Sequence, residues 1–189
     1  MSGWSEIELG DARQKLSSWK GSKFNLLVTS PPYCGVTNYR LDNWIRLWLL
    51  GDLPLPDNKS SEKYADRESY RSMLMDVFSS AKMSMTESAT VLVRTDSRLF
   101  TRDVTAATLR ALWPDHRMLA KSERPEKTQT QLFGDRTEKP GETDMLLLPP
   151  GDRRRPSGYG LVRDHEMASV PAAFSTSGER SDQALAVRA

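Results

Sequence analysis

Ser30-Pro31-Pro32-Tyr33 directly follows the apolar run Phe24-Asn25-Leu26-Leu27-Val28-Thr29, and the four residues together could work on a flat ring that bears an amine. Proline holds φ at about −65° and has no N–H, so such a loop is pre-shaped and its carbonyls are free to accept hydrogen bonds. Ser30 adds a hydroxyl acceptor and Tyr33 a planar face. The set suits a heterocycle carrying an NH₂ group, with hydrogen bonds at its edge and an aromatic ring across its face. Ser-Pro and Pro-Pro are also ordinary turn punctuation after a strand, so a bland reading stands beside the chemical one.

The elements around the loop decide whether it can be presented. The run Asn25 to Thr29 is nearly continuous in apolar character, which predicts a strand buried on both faces of a parallel sheet. The loop then lies at the carboxyl end of that strand, where ligands of open α/β sheets bind. Upstream, Ile7-Glu8-Leu9 reads as a short strand, and Gln14 to Trp19 as a brief helix with Leu16 and Trp19 on one face, stopped by Gly21. Downstream, Asp42 or Asn43 caps a helix carrying Trp44, Leu47 and Trp48, which Gly51 ends. Leu53 to Ser61 is a loop. From about Glu68 to Met83 the spacing of Tyr70, Leu74, Val77, Phe78 and Ala81 predicts an amphipathic helix. Its methionines, Met73, Met75 and Met83, together with Met85, read as packing or helix flank.

Thr90 to Val93 is the next buried strand, closed by the charged stretch Arg94 to Arg98. Thr101 is expected to cap a helix through Val104, Leu109 and Leu112 that Pro114 terminates. Arg117 to Ala120 forms a short strand, Ser122 to Glu142 runs polar over the surface, and Met145 to Leu148 is the last strand. The alternation of strands and helices indicates an α/β sheet, mostly parallel, with room for one antiparallel edge.

The chain has 189 residues, enough for one domain with a real core, and is 38% hydrophobic and 28% charged with a net charge of +2. Near-balanced charge does not predict strong indiscriminate binding to nucleic acid, although 18 of the 27 basic residues are Arg, the better fork for phosphate. Cys34 is the single cysteine, which excludes an internal disulfide and a multi-cysteine zinc site. His116 and His165 lack ligand spacing, so no metal is expected. Without a signal pattern or a long apolar run, export and membrane insertion are not expected, and the cytoplasm is the default location. The last 39 residues hold six Arg and no Lys; Arg153-Arg154-Arg155 among them reads as a solvated run or as a phosphate contact.

Gly10-Asp11-Ala12, Leu16, the apolar strand and Thr29-Ser30-Pro31-Pro32-Tyr33 together resemble the opening of N4-cytosine and N6-adenine DNA methyltransferases that carry the catalytic loop ahead of the cofactor-binding glycine motif. Lys127-Thr128-Gln129-Thr130-Gln131-Leu132-Phe133-Gly134 and Lys139-Pro140-Gly141-Glu142-Thr143-Asp144 also resemble sequence in such enzymes, so the likeness covers roughly residues 5 to 148. The resemblance implies a partial Rossmann-like methyltransferase sheet over residues 1–148, while the composition of 149–189 reads as a polar, Arg-rich and disordered tail. It implies catalysis by Ser30, Pro31, Pro32 and Tyr33, S-adenosylmethionine as methyl donor, and a flipped DNA base as acceptor, as in restriction-modification systems. Serine at the first loop position leans toward cytosine N4. Asp11 sits at the acidic position that faces the cofactor, and is equally a turn residue beside Gly10.

One departure is large. The family binds its cofactor through a Phe-x-Gly-x-Gly turn after another strand, and this sequence has none. Gly158-Tyr159-Gly160 has part of the spacing but follows three arginines instead of an apolar strand. In the family sheet the strand ending at Thr29 pairs with the strand bearing the glycine motif, so its edge is expected to be open here. The resemblance therefore implies either a catalytic half completed by a second chain or a non-catalytic nucleic-acid-binding remnant. An RNA or small-molecule methyltransferase using the same loop is a further alternative.

Overall fold

A computed structural model describes residues 5–8, 10–35, 44–51, 66–123 and 141–162. Its elements are α1 (Ala12–Ser17), β1 (Phe24–Thr29), α2 (Trp44–Leu49), α3 (Arg67–Met83), β2 (Met85–Asp96), α4 (Leu99–Leu112), β3 (Arg117–Glu123), β4 (Glu142–Leu148) and β5 (Gly160–Leu161). The expected loop over Leu53–Ser61, the Asp42 or Asn43 cap and the Lys127–Gly134 stretch lie outside the described residues.

The strands form one sheet in the order β1-β2-β4-β3-β5. β1 pairs with β2 in parallel, whereas β2–β4, β3–β4 and β3–β5 are antiparallel. The α/β class is as expected, and the pairing is mixed. β4 turns back and inserts between β2 and β3, a reversal that an apolar run cannot announce because its composition is the same in either direction.

Helices α3 and α4 cover one face of the sheet. On α3 the buried residues Tyr70, Met73, Leu74, Phe78 and Ala81 recur at helical spacing, and α4 adds Val104, Ala106 and Leu109. They pack against Ala89, Val91 and Val93 of β2, Met118 of β3, and Met145 and Leu147 of β4. Each large side chain fully buried in this layer contributes about 1.5–3 kcal/mol of transfer free energy. Met73 and Met85 fill this core, and Met83 is exposed at the end of α3. The Lys82 ammonium donates to the Leu112 carbonyl and ties the ends of the two helices together.

The opposite face is only partly covered. The segment after β4 crosses it: Arg117 Nη2 donates to the carbonyls of Asp152 and Arg154, 3.0 and 2.6 Å, and Arg154 Nη2 reaches Thr90 Oγ1 at 3.3 Å. Leu119 and Leu148 are buried. Gly158, at φ +81°, makes the turn into β5 with Lys121 against its α-carbon, and Val162 packs on the helix-side core. Residues 149–162 are therefore folded onto the sheet, not part of a structureless tail, and Met145–Leu148 is not the last strand.

Three further expectations change. Ile7 is 97% exposed and in no strand, since it finds no neighbouring strand. β1 is an edge strand whose Leu26 and Val28 are 58% and 63% exposed, because nothing described covers that part of the second face. Thr101 is buried within the first turn of α4, and Arg98 is the N-cap residue, without a side-chain cap bond. No helix among the described residues is long and apolar enough to cross a membrane.

Candidate functional site

Ser30 leaves β1 at the carboxyl end of the parallel β1–β2 pair, where Thr29 lies opposite Val93. Pro31 is buried, Pro32, Tyr33 and Cys34 are half-buried, and Ser30 is exposed. The prolines thus anchor the loop while the hydroxyl stays accessible. β2 continues three residues past this register to Asp96, which faces Glu142 at the end of the β2–β4 ladder. The Tyr33 hydroxyl donates to Glu142 Oε1 at 3.0 Å, so the end of β4 pins the ring of the loop.

Burial pushes the Tyr33 phenol above its ordinary range; a hydrogen bond with Ser30 opposes this, and Glu142 adds to it. Tyr33 therefore remains a neutral hydrogen-bond donor at physiological pH. Glu142 in turn pairs with Arg94 at 3.4 Å, and Arg94 binds Asp144 through Nε and Nη2 at 2.7 and 2.9 Å. This ladder of charges runs across the second face of the sheet up to the loop. Hydrogen bonding to Arg94 holds the Asp144 carboxyl below the usual range.

Asp96 is 2% exposed. Burial raises its carboxyl pKa against the pull of Arg98, whose N–H donates to Asp96 Oδ1 at 3.0 Å and whose Nε stands 3.2 Å from Oδ2. Beneath the loop, the Tyr70 hydroxyl and Thr95 Oγ1 are buried without a hydrogen-bond partner. Cys34 packs against the core, and burial raises its thiol pKa.

The four sequence-predicted residues Ser30 to Tyr33 are consecutive and lie in one loop at the carboxyl end of β1. Asp11 is differently engaged: it caps α1 by accepting from Arg13 N at 2.9 Å and forms a 2.5 Å ion pair with the Arg13 guanidinium. That hydrogen bonding lowers its pKa to about 2. Sequence reasoning passes over Glu142 as a surface residue and Asp96 as a strand-closing charge. Acidic residues at the ends of two apolar runs are the signal that could find them.

The described cavities lie away from the loop. One of about 260 Å³ sits between α4 and the β3–β4 pair, lined by Arg102, Ala106, Met118, Ser122, Thr143 and Val162 among others. Another adjoins Trp113 and His116, and a third lies between α1 and the start of α3.

No protein-family model and no curated protein matches the chain. Solved structures of a candidate DNA modification methylase of Thermus thermophilus do. Its complex with S-adenosyl-L-methionine is 19% identical, matching 79% of this chain and 57% of that one at a TM-score of 0.45. Its selenomethionine derivative is 17% identical, matching 78% and 54% at a TM-score of 0.43. A third structure of it is 17% identical, matching 79% and 56% at a TM-score of 0.41. The chain spans little more than half the length of these structures.

Proposed function

We propose that this chain is the amine-gripping half of a site-specific DNA methyltransferase acting on N4 of cytosine or N6 of adenine. The observation that carries this reading is the proline-anchored loop at the carboxyl end of β1, with its serine exposed and its tyrosine fixed at the mouth by Glu142.

An exocyclic amine shares its lone pair with the ring and is a weak nucleophile. Hydrogen bonds from its two protons to the Ser30 hydroxyl oxygen and the Pro31 carbonyl favour a pyramidal nitrogen with a directed lone pair. Acceptors set in advance also stabilise positive charge developing on that nitrogen. Tyr33 stacks on the extruded base and offsets part of its unstacking cost.

S-adenosylmethionine is the methyl donor in this reading. Asp11 is committed to Arg13, the cavities described above do not include the loop residues, and no glycine turn follows a strand. Donor binding is therefore assigned to a second chain carrying that turn. Among the described residues nothing pairs with the outer edge of β1, and Leu26 and Val28 are exposed on its second face; both support this assignment.

The test is transfer of labelled methyl groups to DNA by the chain together with a co-encoded chain that carries a glycine turn. Transfer is expected to need both chains, and Tyr33→Ala is expected to reduce it about fivefold or more, the worth of a base–aromatic stack of 1–3 kcal/mol. Wild-type transfer rates in both Tyr33→Ala and Pro31→Ala would show the loop assignment to be wrong. DNA binding without any transfer would identify a non-catalytic remnant.

A further inference from the structure

The beginnings of α3 and α4 carry four arginines, Arg67, Arg71, Arg98 and Arg102, and two of them, Arg67 and Arg71, stand over one half-buried ring, Phe100. The Arg67 guanidinium carbon lies 4.7 Å from the Phe100 centroid and that of Arg71 5.2 Å. Two like charges one turn apart on a helix repel each other, yet here both converge on the same ring, which attracts each of them. Tyr70 packs against Phe100 from the core at 6.1 Å between centroids and sets the ring's position.

The acidic partners of this group are unevenly placed. Asp96 pairs with Arg98 and Asp103 with Arg102, and both carboxylates are buried, at 2% and 5% exposure. What these pairs present to solvent is guanidinium. Arg71 pairs with the exposed Glu68 at 3.1 Å, and Arg67 pairs with no carboxylate among the described residues. The patch lies at the same end of the sheet as the loop: Arg98 holds Asp96, which faces Glu142 across the β2–β4 ladder, and Glu142 accepts from the Tyr33 hydroxyl.

From this arrangement we infer that Arg67, Arg71 and Arg98 form a platform for the phosphodiester backbone of DNA next to the base held by Ser30 and Tyr33. The inference rests on the DNA reading above and adds the surface that positions the strand. Planar guanidiniums fit phosphate oxygens in pairs, and stacking on Phe100 orders two of them before the ligand arrives, which lowers the entropic cost of binding. Such contacts set register and orientation and carry no sequence information.

The experiment is fluorescence anisotropy of a labelled DNA duplex with the full chain over about 50–200 mM salt. R67Q/R71Q is expected to weaken binding roughly 10- to 100-fold at the lower salt and to reduce the logarithmic salt slope by about two. The charge-matched variant K20Q/K23Q, at the opposite end of β1 from the loop, is expected to retain wild-type affinity and slope. Thermal melts verify that both variants are folded. The platform is overturned by a wild-type slope in R67Q/R71Q, by an equal loss in K20Q/K23Q, by no salt-dependent binding in the wild type, or by full displacement with inorganic phosphate or a mononucleotide. Tyr33→Ala separates the two readings. It should weaken binding with the slope unchanged; if it has no effect while R67Q/R71Q does, the loop reading fails and the platform stands.

Discussion

Tyr33 holds two jobs that a single substitution can separate. In the proposed reading its ring provides the stacking face, while its hydroxyl fastens the loop to Glu142. Tyr33→Phe keeps the ring and leaves Glu142 with Arg94, so base affinity should fall only about two- to fivefold, the worth of one half-buried hydrogen bond near 0.5–1 kcal/mol. Base-analogue titration of Tyr33→Phe beside Tyr33→Ala measures this difference. Acid response is governed nearby by Asp144, whose carboxyl is held below the ordinary range by Arg94. A depressed folded pKa contributes stability that is present above the unfolded carboxylate value and is lost as pH falls through the folded one. Arg94→Met should therefore cost about 1 kcal/mol near neutrality and less in acid, as urea midpoints measured at neutral and acidic pH would show.

Among the elements, α3 supports the site and β1 exposes it. Phe78→Ala in the middle of α3 should cost about 3–5 kcal/mol, because the residue is 1% exposed and the cavity left behind lies between helix and sheet. Denaturant titration checks this. β1 behaves differently: Leu26→Lys with Val28→Lys should leave stability nearly unchanged and reduce self-association, since both side chains are exposed on the second face of a strand whose outer edge has no partner among the described residues. Light scattering at rising concentration distinguishes the variant from the wild type. The same two elements show how much of the fold was legible. The periodicity of Tyr70, Leu74, Phe78 and Ala81 defines α3 to within a residue at each end, because a helix face is written in consecutive sequence. The apolar run of β1 predicts a strand equally well, but cover on its second face comes from distant chain, and local composition cannot report its absence. The site divides likewise. Ser30 to Tyr33 is contiguous and readable, whereas Glu142 reaches Tyr33 across 109 positions, and Asp11 is diverted by Arg13, two residues away.

For the molecule as a whole, the described residues make a sheet whose helix-covered face is complete and whose other face is finished only near β3, where the segment around Arg154 crosses it. Titration of the isolated chain with S-adenosylmethionine should therefore show no tight binding; saturable micromolar binding would contradict the two-chain reading. Addition of a chain bearing the glycine turn should restore it and raise the melting temperature, since a partner that binds only the folded state stabilises it by mass action.

The bare border of β1 and the Ser30 loop are consecutive in the chain, so they share a fate. Whatever seals that border also stiffens the start of the loop. Under the two-chain proposal, a copy without its partner would leave both exposed at once to proteolysis and clumping.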